Sequence, residues 1–339
     1  MKSCKRVDLA IVGAGPAGCT AAYTAAKAGM RVCLVERCAL PRYKSCSGML
    51  IARAIERIRA YYGQDAPVAT TCCAPIRNAG MVFTDECGKE YRFESAGLNV
   101  WRSELDAWFA AQARAQGAQI LEQTPVARCV PTQSGVELTT ARGDRIEARR
   151  AILATGVSAL GGQASYIYTY QTYCEGTVRL DPHYFYAYLQ PEFSDYDAWL
   201  NVKDGQIVFG VASSSKARLA AYHESFAEYL RERHGLRVTK TLRVDPWAMR
   251  RIAPGCATNC GDGRMLYAGE AAGLLNPMGE GVSCALESGY AAARAVMTGG
   301  DDAQVADAYR ERLQDTVAYM RRQWHLTGRL SERFAAMQL

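Results

Sequence analysis

The sequence lacks any apolar run long enough to cross a bilayer, since a transmembrane helix needs about 20 consecutive apolar residues. It also lacks a secretory signal pattern at its start, where a strand-like stretch begins almost at once. Internal repeats and low-complexity linkers are missing as well. These absences argue against a membrane-spanning, exported or repeat protein, and they predict a cytoplasmic location.

The chain also lacks a large excess of charge of one sign. The formal net charge is +6, and the basic residues are scattered along the sequence. A nucleic-acid partner is therefore not expected. Cysteine is abundant, with 13 residues, but no spacing forms a convincing four-ligand metal pattern. We expect reduced thiols that are mostly small buried hydrophobes, and no metal site.

The first strongly patterned stretch covers residues 7–37 and reads VDLAIVGAGPAGCTAAYTAAKAGMRVCLVER. It predicts a buried strand, a turn in the frame G-x-G-x-x-G, a small-residue helix, and a second strand that ends in Glu36. Gly13 permits the tight turn, Gly15 lets a pyrophosphate approach the backbone, and Gly18 lets helix and strand pack closely. The helix N-terminus offers free N–H groups to phosphates, and Glu36 can accept a hydrogen bond from a ribose hydroxyl. The stretch predicts a dinucleotide site.

A second glycine-rich unit returns near the end of the chain, in residues 263–289. A short strand leads into Gly269 and Glu270, and a proline–glycine loop then opens a helix near Gly281. Two such units at opposite ends of the sequence indicate a cofactor too long for one of them, which favours FAD over NAD. The positive end of the later helix would favour the anionic form of a reduced isoalloxazine.

The middle of the sequence predicts a second domain inserted into the first. Short strands between residues 126 and 148 predict a meander before the chain returns to the parallel sheet. The C-terminal segment is predicted as an amphipathic, arginine-rich helix, which favours a solvated outer face over peripheral membrane contact. We assign residues 1–75, 97–165 and 250–300 to a discontinuous nucleotide-binding domain, 76–96 and 166–249 to a β-rich substrate domain, and 301–339 to the C-terminal helical segment.

Tyrosines alternate along two strands of the predicted substrate domain. Since successive side chains of a strand point to opposite faces, each set shares one face. Such a face could line a flat, apolar pocket with hydroxyl groups, or it could be ordinary core, because aromatic residues are good strand formers. The sequence leaves both interpretations open for the two sets, which are Tyr166, Tyr168 and Tyr170, and Tyr184, Tyr186 and Tyr188.

Several short motifs match one family. Residues 44–48, KSCSG, are similar to a Lys-x-Cys-Gly-Gly loop, and residues 186–191, YAYLQP, to a Tyr-x-Trp-x-Phe-Pro strand. Arg102 opens a helix like the arginine-led one that contacts FAD, and GEAAG at 269–273 is similar to Gly-Asp-Ala-Ala-Gly. With the first glycine motif, these make most of the chain resemble the geranylgeranyl reductase family. That family lies within the FAD-dependent oxidoreductases that include para-hydroxybenzoate hydroxylase and the flavin-dependent halogenases.

The resemblance implies an α/β fold of the glutathione-reductase type, in which an FAD-binding Rossmann domain carries an inserted β-rich substrate domain and a C-terminal helix. It implies FAD as the cofactor and makes NADPH or NADH a candidate electron donor. Two positions depart from the class. Glu270 stands where the family has Asp, and Thr155-Gly156 stands where the hydroxylases have an Asp-Gly pair credited with FAD and NADPH binding. Nicotinamide use therefore stays open.

The glycine motifs and the resemblance together predict a set of cofactor-binding residues spread over the whole nucleotide-binding domain. The set is Gly13, Gly15, Ala17, Gly18, Glu36, Arg37, Lys44, Cys46, Gly48, Arg102, Val126, Thr155, Gly156, Gly269, Glu270, Pro277, Gly279, Gly281 and Val282.

The leading functional hypothesis is a reductase in which reduced flavin passes a hydride to a carbon–carbon double bond of a prenyl-like or aromatic small molecule. Cys46, Tyr186 or Tyr188 would donate the proton, and we expect these three side chains to converge over the flavin. One alternative is a flavin-dependent monooxygenase or halogenase, whose motif the strand at 186–191 also fits. Another is a flavin-holding redox sensor or binding module. The sequence names neither the substrate nor the oligomeric state.

Overall fold

The computed structural model of the chain describes residues 4–158, 165–251 and 258–337. The helices are α1 (Pro16–Lys27), α2 (Ala52–Tyr62), α3 (Val68–Thr71), α4 (Arg102–Ala115), α5 (Leu219–His234), α6 (Val282–Thr298), α7 (Asp302–Arg312), α8 (Gln314–Gly328) and α9 (Glu332–Ala336). The strands are β1 (Cys4–Val12), β2 (Val32–Val35), β3 (Met49–Ile51), β4 (Cys72–Thr84), β5 (Glu90–Val100), β6 (Gln119–Leu121), β7 (Val126–Pro131), β8 (Val136–Thr140), β9 (Arg145–Leu153), β10 (Tyr166–Thr177), β11 (Tyr184–Tyr188), β12 (Ala198–Lys203), β13 (Gln206–Ser213), β14 (Arg237–Arg250) and β15 (Met265–Tyr267).

The strand β1 lies at the centre of the first sheet, whose order is β6–β2–β1–β9–β8–β7, with β15 also paired to β9. β1 runs parallel to β2 and β9, and β9 runs parallel to β15. Leu9, Ala10 and Ile11 are fully buried, as an apolar run in a parallel sheet with both faces covered should be. The strands β7, β8 and β9 form the antiparallel meander that the sequence predicts.

Helices α1, α2, α4 and α6 share one large buried cluster with the first sheet. Small residues let α1 and α6 approach closely. A Cβ on Gly289 of α6 would lie only 2.1 Å from the carbonyl oxygen of Ala17 in α1. The predicted strand–turn–helix–strand unit is therefore present, and the later glycine-rich unit packs directly on it.

The second sheet has the order β14–β10–β13–β12–β11–β4–β5–β3. One of its faces, here called the outer face, packs against α5 through side chains such as Phe226 and Leu230. The opposite face, here called the inner face, meets Trp324 and Phe334 of the C-terminal helices. Residues of the loop 37–48 also contact this inner face.

Two elements differ from the sequence-based expectation. The sequence pattern predicts a helix from about Met49 to Tyr62. Met49–Ile51 is instead a strand, β3, because it pairs with residues 97–99 of β5, where Gly97 allows a close approach to Leu50. The C-terminal segment forms three helices instead of one, with α7 and α8 meeting at the buried Leu313. In the part of the chain that the structure describes, no helix combines the length and apolarity needed to cross a bilayer.

Candidate functional site

In the glycine turn after β1, only one of the three motif glycines, Gly15, has open space where a side chain would stand. A Cβ on Gly13, whose φ is +101°, would lie 2.4 Å from the carbonyl oxygen of Ala154, and one on Gly18 would lie 1.9 Å from the carbonyl oxygen of Gly13. A Cβ on Gly15 would meet only Nη2 of Arg42, at 3.8 Å. Gly15 also precedes α1 without any side-chain cap, so the first N–H groups of the helix are available. Open space beside free N–H groups fits a pyrophosphate.

Arg42 places a positive charge at this turn. Glu36, buried at the end of β2, accepts hydrogen bonds from the N–H groups of Ala14 at 2.8 Å and Cys38 at 3.0 Å. Nε of Arg42 lies 3.5 Å from Oε1 of Glu36, and its Nη1 lies 3.1 Å from Oδ2 of the buried Asp106. The guanidinium is therefore held beside the open side of the turn, where its charge suits a phosphate. Sequence reasoning missed Arg42.

Glu270 joins the two sheets. Its Oε1 accepts a hydrogen bond from the N–H of Arg250, in β14, at 2.8 Å. Its Oε2 lies 3.8 Å from where a Cβ on Gly156 would stand, so the carboxylate borders the turn after β9. The longer side chain of glutamate thus reaches the second sheet from the position where the family has aspartate. Glu270 lies at the border of the predicted FAD site but is already engaged with β14.

The start of α6 carries its own carboxylate. Glu280 accepts hydrogen bonds from the N–H of Ser283 at 2.9 Å and from its hydroxyl at 2.7 Å. Burial raises the pKa of Glu280. Asn276 accepts from the N–H groups of Met278 and Glu280, which shapes the loop before the helix. One of the first N–H groups of α6 is therefore occupied, so the helix offers less positive potential than the sequence suggests.

The other predicted cofactor residues lie in several segments of the chain. Ala17 faces α6, with Gly269 close by, and Thr155 passes over Gly13. Arg37 is exposed and donates to Ser158 at 3.3 Å. The remaining members occupy the meander and the loop before α6: Val126 opens β7, Pro277 is buried in the loop, Gly279 approaches Met249 of β14, Gly281 packs on Leu275, and Val282 begins α6.

The thiol of Cys46, in the loop 37–48, is influenced by three cationic side chains: Lys44 of the same loop, Arg102 of α4 and Lys203 of β12. Arg102, at the start of α4, pairs with Asp106 at 2.9 Å, and its positive charge acts on the thiol. Burial alone raises the pKa of Cys46, but Arg102, the N–H of Gly48, Lys203 and Lys44 outweigh it and bring this pKa below its usual value. The predicted residues Lys44, Cys46, Gly48 and Arg102 are thus brought together.

A polar cluster fixes the same loop to the inner face of the second sheet. The hydroxyl of Tyr43 donates to Asp245 of β14, and Gln171 of β10 donates to Asp245 and to Ser45, both at 2.9 Å. The guanidinium of Arg243 lies 4.0 Å from the ring centre of Tyr43. The sequence does not predict this Tyr43–Asp245 cluster, because its members come from three segments that are distant in the chain.

Tyr186 and Tyr188 do not converge with Cys46. Both point to the outer face and belong to the core under α5. The hydroxyl of Tyr186 bonds to the backbone of Asp181, and that of Tyr188 lies 3.3 Å from Nε2 of His234. The expectation that they meet the thiol is wrong for a geometric reason: the even-numbered residues of β11 face α5. The core interpretation of this tyrosine set is the one that the structure supports.

Several buried polar atoms on the inner face find no hydrogen-bond partner among the described residues. They are Oδ1 of Asn201, Nε of Arg243 and Nε1 of Trp199 and Trp247. Buried polar groups of this kind are usually paired in proteins. Their concentration on the face that meets the Cys46 loop fits a ligand bound there.

Comparison with known families identifies the class of protein. The family model described as FAD dependent oxidoreductase matches residues 8–263. The chain belongs to this family. The prediction of an FAD-dependent oxidoreductase is confirmed at the level of the family. FAD as the cofactor also fits the site, which combines the open turn at Gly15, the uncapped N-terminus of α1 and the charge of Arg42.

The chain is 27% identical to menaquinone reductase of Mycobacterium tuberculosis over 327 residues, which is 84% of this chain and 75% of that protein. It is 34% identical to FixC of Salmonella typhi over 159 residues, 45% of this chain and 37% of that protein. The chain thus spans just over a third of the length of the FixC proteins that it matches.

Two solved structures share the fold. A geranylgeranyl bacteriochlorophyll reductase-like protein of Thermoplasma acidophilum superposes with a TM-score of 0.79 at 19% identity, covering 99% of this chain and 87% of that one. The myxobacterial chondrochloren halogenase CndH superposes with a TM-score of 0.77 at 18% identity, covering 99% and 86%. The predicted α/β flavoprotein fold is confirmed, and both of the resembling classes possess it.

Proposed function

We propose that this chain reduces a carbon–carbon double bond in a prenyl-like or aromatic small molecule, with FAD as its redox cofactor. The observation that carries the proposal is the loop 37–48. Its Arg42 contacts the glycine turn, while Ser45 and Ser47 contact the inner face of the second sheet, so Cys46 lies between the nucleotide site and that face. When bound, reduced FAD supplies the hydride.

Cys46 would supply the proton. A general acid works best when its pKa lies near the working pH, and the cations around Cys46 outweigh the effect of burial and lower its pKa. The thiol can therefore give up a proton and be reprotonated from solvent. Lys44, whose pKa burial lowers, belongs to the same loop, and its ammonium group lies 4.6 Å from the ring centre of Trp247.

The substrate class is supported by chemistry on the inner face. The unpartnered polar atoms of this face share it with apolar side chains such as Met249 and Phe185. The face therefore offers a ligand both hydrogen bonds and hydrophobic contacts. A relative along most of the chain is called menaquinone reductase, and menaquinone carries an aromatic ring system and a prenyl chain. A substrate with a polar ring and an apolar tail suits this face.

The test separates the two halves of the reaction. Purified holoprotein is reduced without oxygen by dithionite and mixed with a menaquinone or a geranylgeranyl compound, while flavin absorbance and product mass are followed. We expect the flavin to be reoxidised and the product, after any hydroquinone has been oxidised back to the quinone in air, to retain two added hydrogens. Cys46→Ser should leave reduction of the flavin intact and slow its reoxidation by about 10²-fold, as for loss of a general acid.

The same experiment distinguishes the rival functions. Reoxidation that requires both oxygen and substrate, and that yields a hydroxylated or halogenated product, would establish a monooxygenase or halogenase instead. Reduced flavin that no acceptor reoxidises would favour a redox sensor or binding module.

Three finer points complete the proposal. NADPH or NADH would serve as electron donor, which anaerobic titration of the oxidised flavin tests directly. The protein would work in the cytoplasm. The exposed arginines of the C-terminal segment would allow peripheral contact with an anionic membrane, although Trp324 and Phe334 are buried inside the protein. Flotation with anionic and neutral vesicles tests that contact.

A further inference from the structure

Lys203, at the end of β12, is a buried lysine that the glycine motifs do not involve. It is 1% exposed, which is rare for a lysine. Its ammonium group lies 3.9 Å from the ring centre of Trp101, at the N-terminus of α4. Burial lowers the pKa of Lys203, while the thiols of Cys46 and Cys73 act in the opposite direction.

The ammonium group is aimed at the Cys46 loop. Gly48 has φ +78°, and a Cβ there would lie 2.5 Å from Nζ of Lys203. Two residues earlier on the same face of β12, Asn201 donates to the carbonyl oxygen of Ser47 at 3.1 Å. Asn201 and Lys203 therefore meet two successive loop residues, Ser47 and Gly48, and the N–H of Gly48 donates to Sγ of Cys46 at 3.4 Å.

The position of Lys203 is itself fixed by its neighbours. Asp204 accepts a hydrogen bond from Nε1 of Trp101 at 2.7 Å and another from the N–H of Ala74 at 2.7 Å. The turn after β12 is thus tied to α4 and to β4, so the backbone that carries Lys203 is held in place.

We propose that Lys203 is a positioning residue for Cys46: its ammonium group holds the 44–48 loop against β12 and stabilises negative charge on the sulfur. Arg102 of α4 acts on the same thiol, so a cation from α4 and a cation from β12 both stabilise charge on the sulfur. The inference rests on the proposed role of Cys46, but its test measures the ionisation of the Cys46 thiol and does not depend on turnover of a substrate.

The test measures the ionisation of one thiol in the intact holoprotein. Thiolate absorbance near 240 nm is titrated in wild type and in Lys203→Met, and the curve of the same protein carrying Cys46→Ser is subtracted from each. This subtraction removes the flavin and the other thiols. Alkylation of Cys46 by iodoacetamide is followed in parallel on the tryptic peptide 45–53, SCSGMLIAR, which contains no other cysteine.

We expect Lys203→Met to move the titration of Cys46 upward by about one pH unit, because loss of a nearby positive charge favours the neutral thiol by about one pKa unit. Lys203→Arg should restore most of the thiolate. The matched control is Lys240→Met, which removes an exposed lysine of β14 and should leave the curve unchanged.

An unchanged titration in Lys203→Met would overturn the proposal, and so would an equal shift in Lys203→Arg, which would point to altered packing. If Lys203→Met does not fold, Lys203→Gln serves in the same assay with the same expected direction. A shifted thiol in a protein that reduces no double bond would leave this inference standing and reject the proposed function.

Discussion

At the scale of single residues, the three motif glycines have different tasks that substitution can separate. Gly15→Ala places a methyl group in open space, with only the Arg42 guanidinium nearby, at a φ of −85° that alanine tolerates. We expect the apoprotein to keep its stability and FAD affinity to fall at least tenfold, because the methyl group occupies the approach to the backbone N–H groups. Isothermal titration of apoprotein with FAD measures this.

Gly18→Ala is the contrasting change. Its methyl group would meet the carbonyl oxygen of Gly13 at 1.9 Å, so the turn itself must move. We expect Gly18→Ala to lose several kcal/mol of unfolding free energy, or to fail to fold, before any cofactor is added. Equal apoprotein stability in the two variants, by urea denaturation, would contradict this division of roles.

The Tyr43–Asp245 cluster gives a second residue-scale prediction. Tyr43→Phe removes the hydroxyl that donates to the buried Asp245, so we expect the free energy of unfolding to fall by about 1–2 kcal/mol. Amide hydrogen exchange in the loop 37–48 should rise. The control is Tyr91→Phe, which removes a hydrogen bond to Asp85 in an exposed hairpin and should change stability little.

At the scale of elements, the packing of α5 on the second sheet predicts a pH effect. A hydrogen bond of 3.0 Å joins Nε2 of His223, in α5, to the hydroxyl of Thr172, and the imidazole ring stacks on Phe209. Burial lowers the pKa of His223 to about 4. Its pKa in the unfolded chain is about 6.5. The unfolded state therefore takes up the proton first, and stability is lost as pH falls from about 6.5 toward 4.

Near pH 5 the loss should be about 1–2 kcal/mol relative to neutral pH. His223→Gln should flatten this part of the stability curve, measured by urea denaturation between pH 7 and 5. Curves that stay parallel in wild type and variant would assign the acid sensitivity to other groups.

The elements also show what a sequence can predict here. The strands and turn of residues 7–36 were predictable because their glycines, apolar runs and helix lie within one contiguous stretch. β3 was not, because Met49–Ile51 continues a helical pattern and becomes a strand only by pairing with β5. Lys203 gave no signal, since a lysine before Asp204-Gly205 is typical of an exposed strand end. Arg42 and Asp245 depend on partners far away in sequence, which local patterns do not contain.

At the scale of the whole molecule, the C-terminal helices are part of the protein's core. Phe334 is fully buried, stacks edgewise on Tyr196 at 4.9 Å and lies 5.9 Å from Trp324. Arg333 pairs with Glu86 at 2.9 Å. Phe334→Ala should lower the free energy of unfolding by about 3 kcal/mol and increase hydrogen exchange in β11.

The matched control is Leu326→Ala on α8, where the side chain is 52% exposed and the expected change is within about 0.5 kcal/mol. Similar effects of the two substitutions would mean that α9 is not docked in solution as the structure shows.

The loop 37–48 has a consequence for chimeric proteins. One end of it contacts the glycine turn through Arg42, and the other is held by Gln171, Asn201 and Asp245 from three strands of the second sheet. Grafting a relative's second sheet into this chain without its own loop would place foreign side chains against Ser45 and Ser47. A chimera that exchanges the second sheet between family members therefore keeps these contacts only when the loop is transplanted with the sheet.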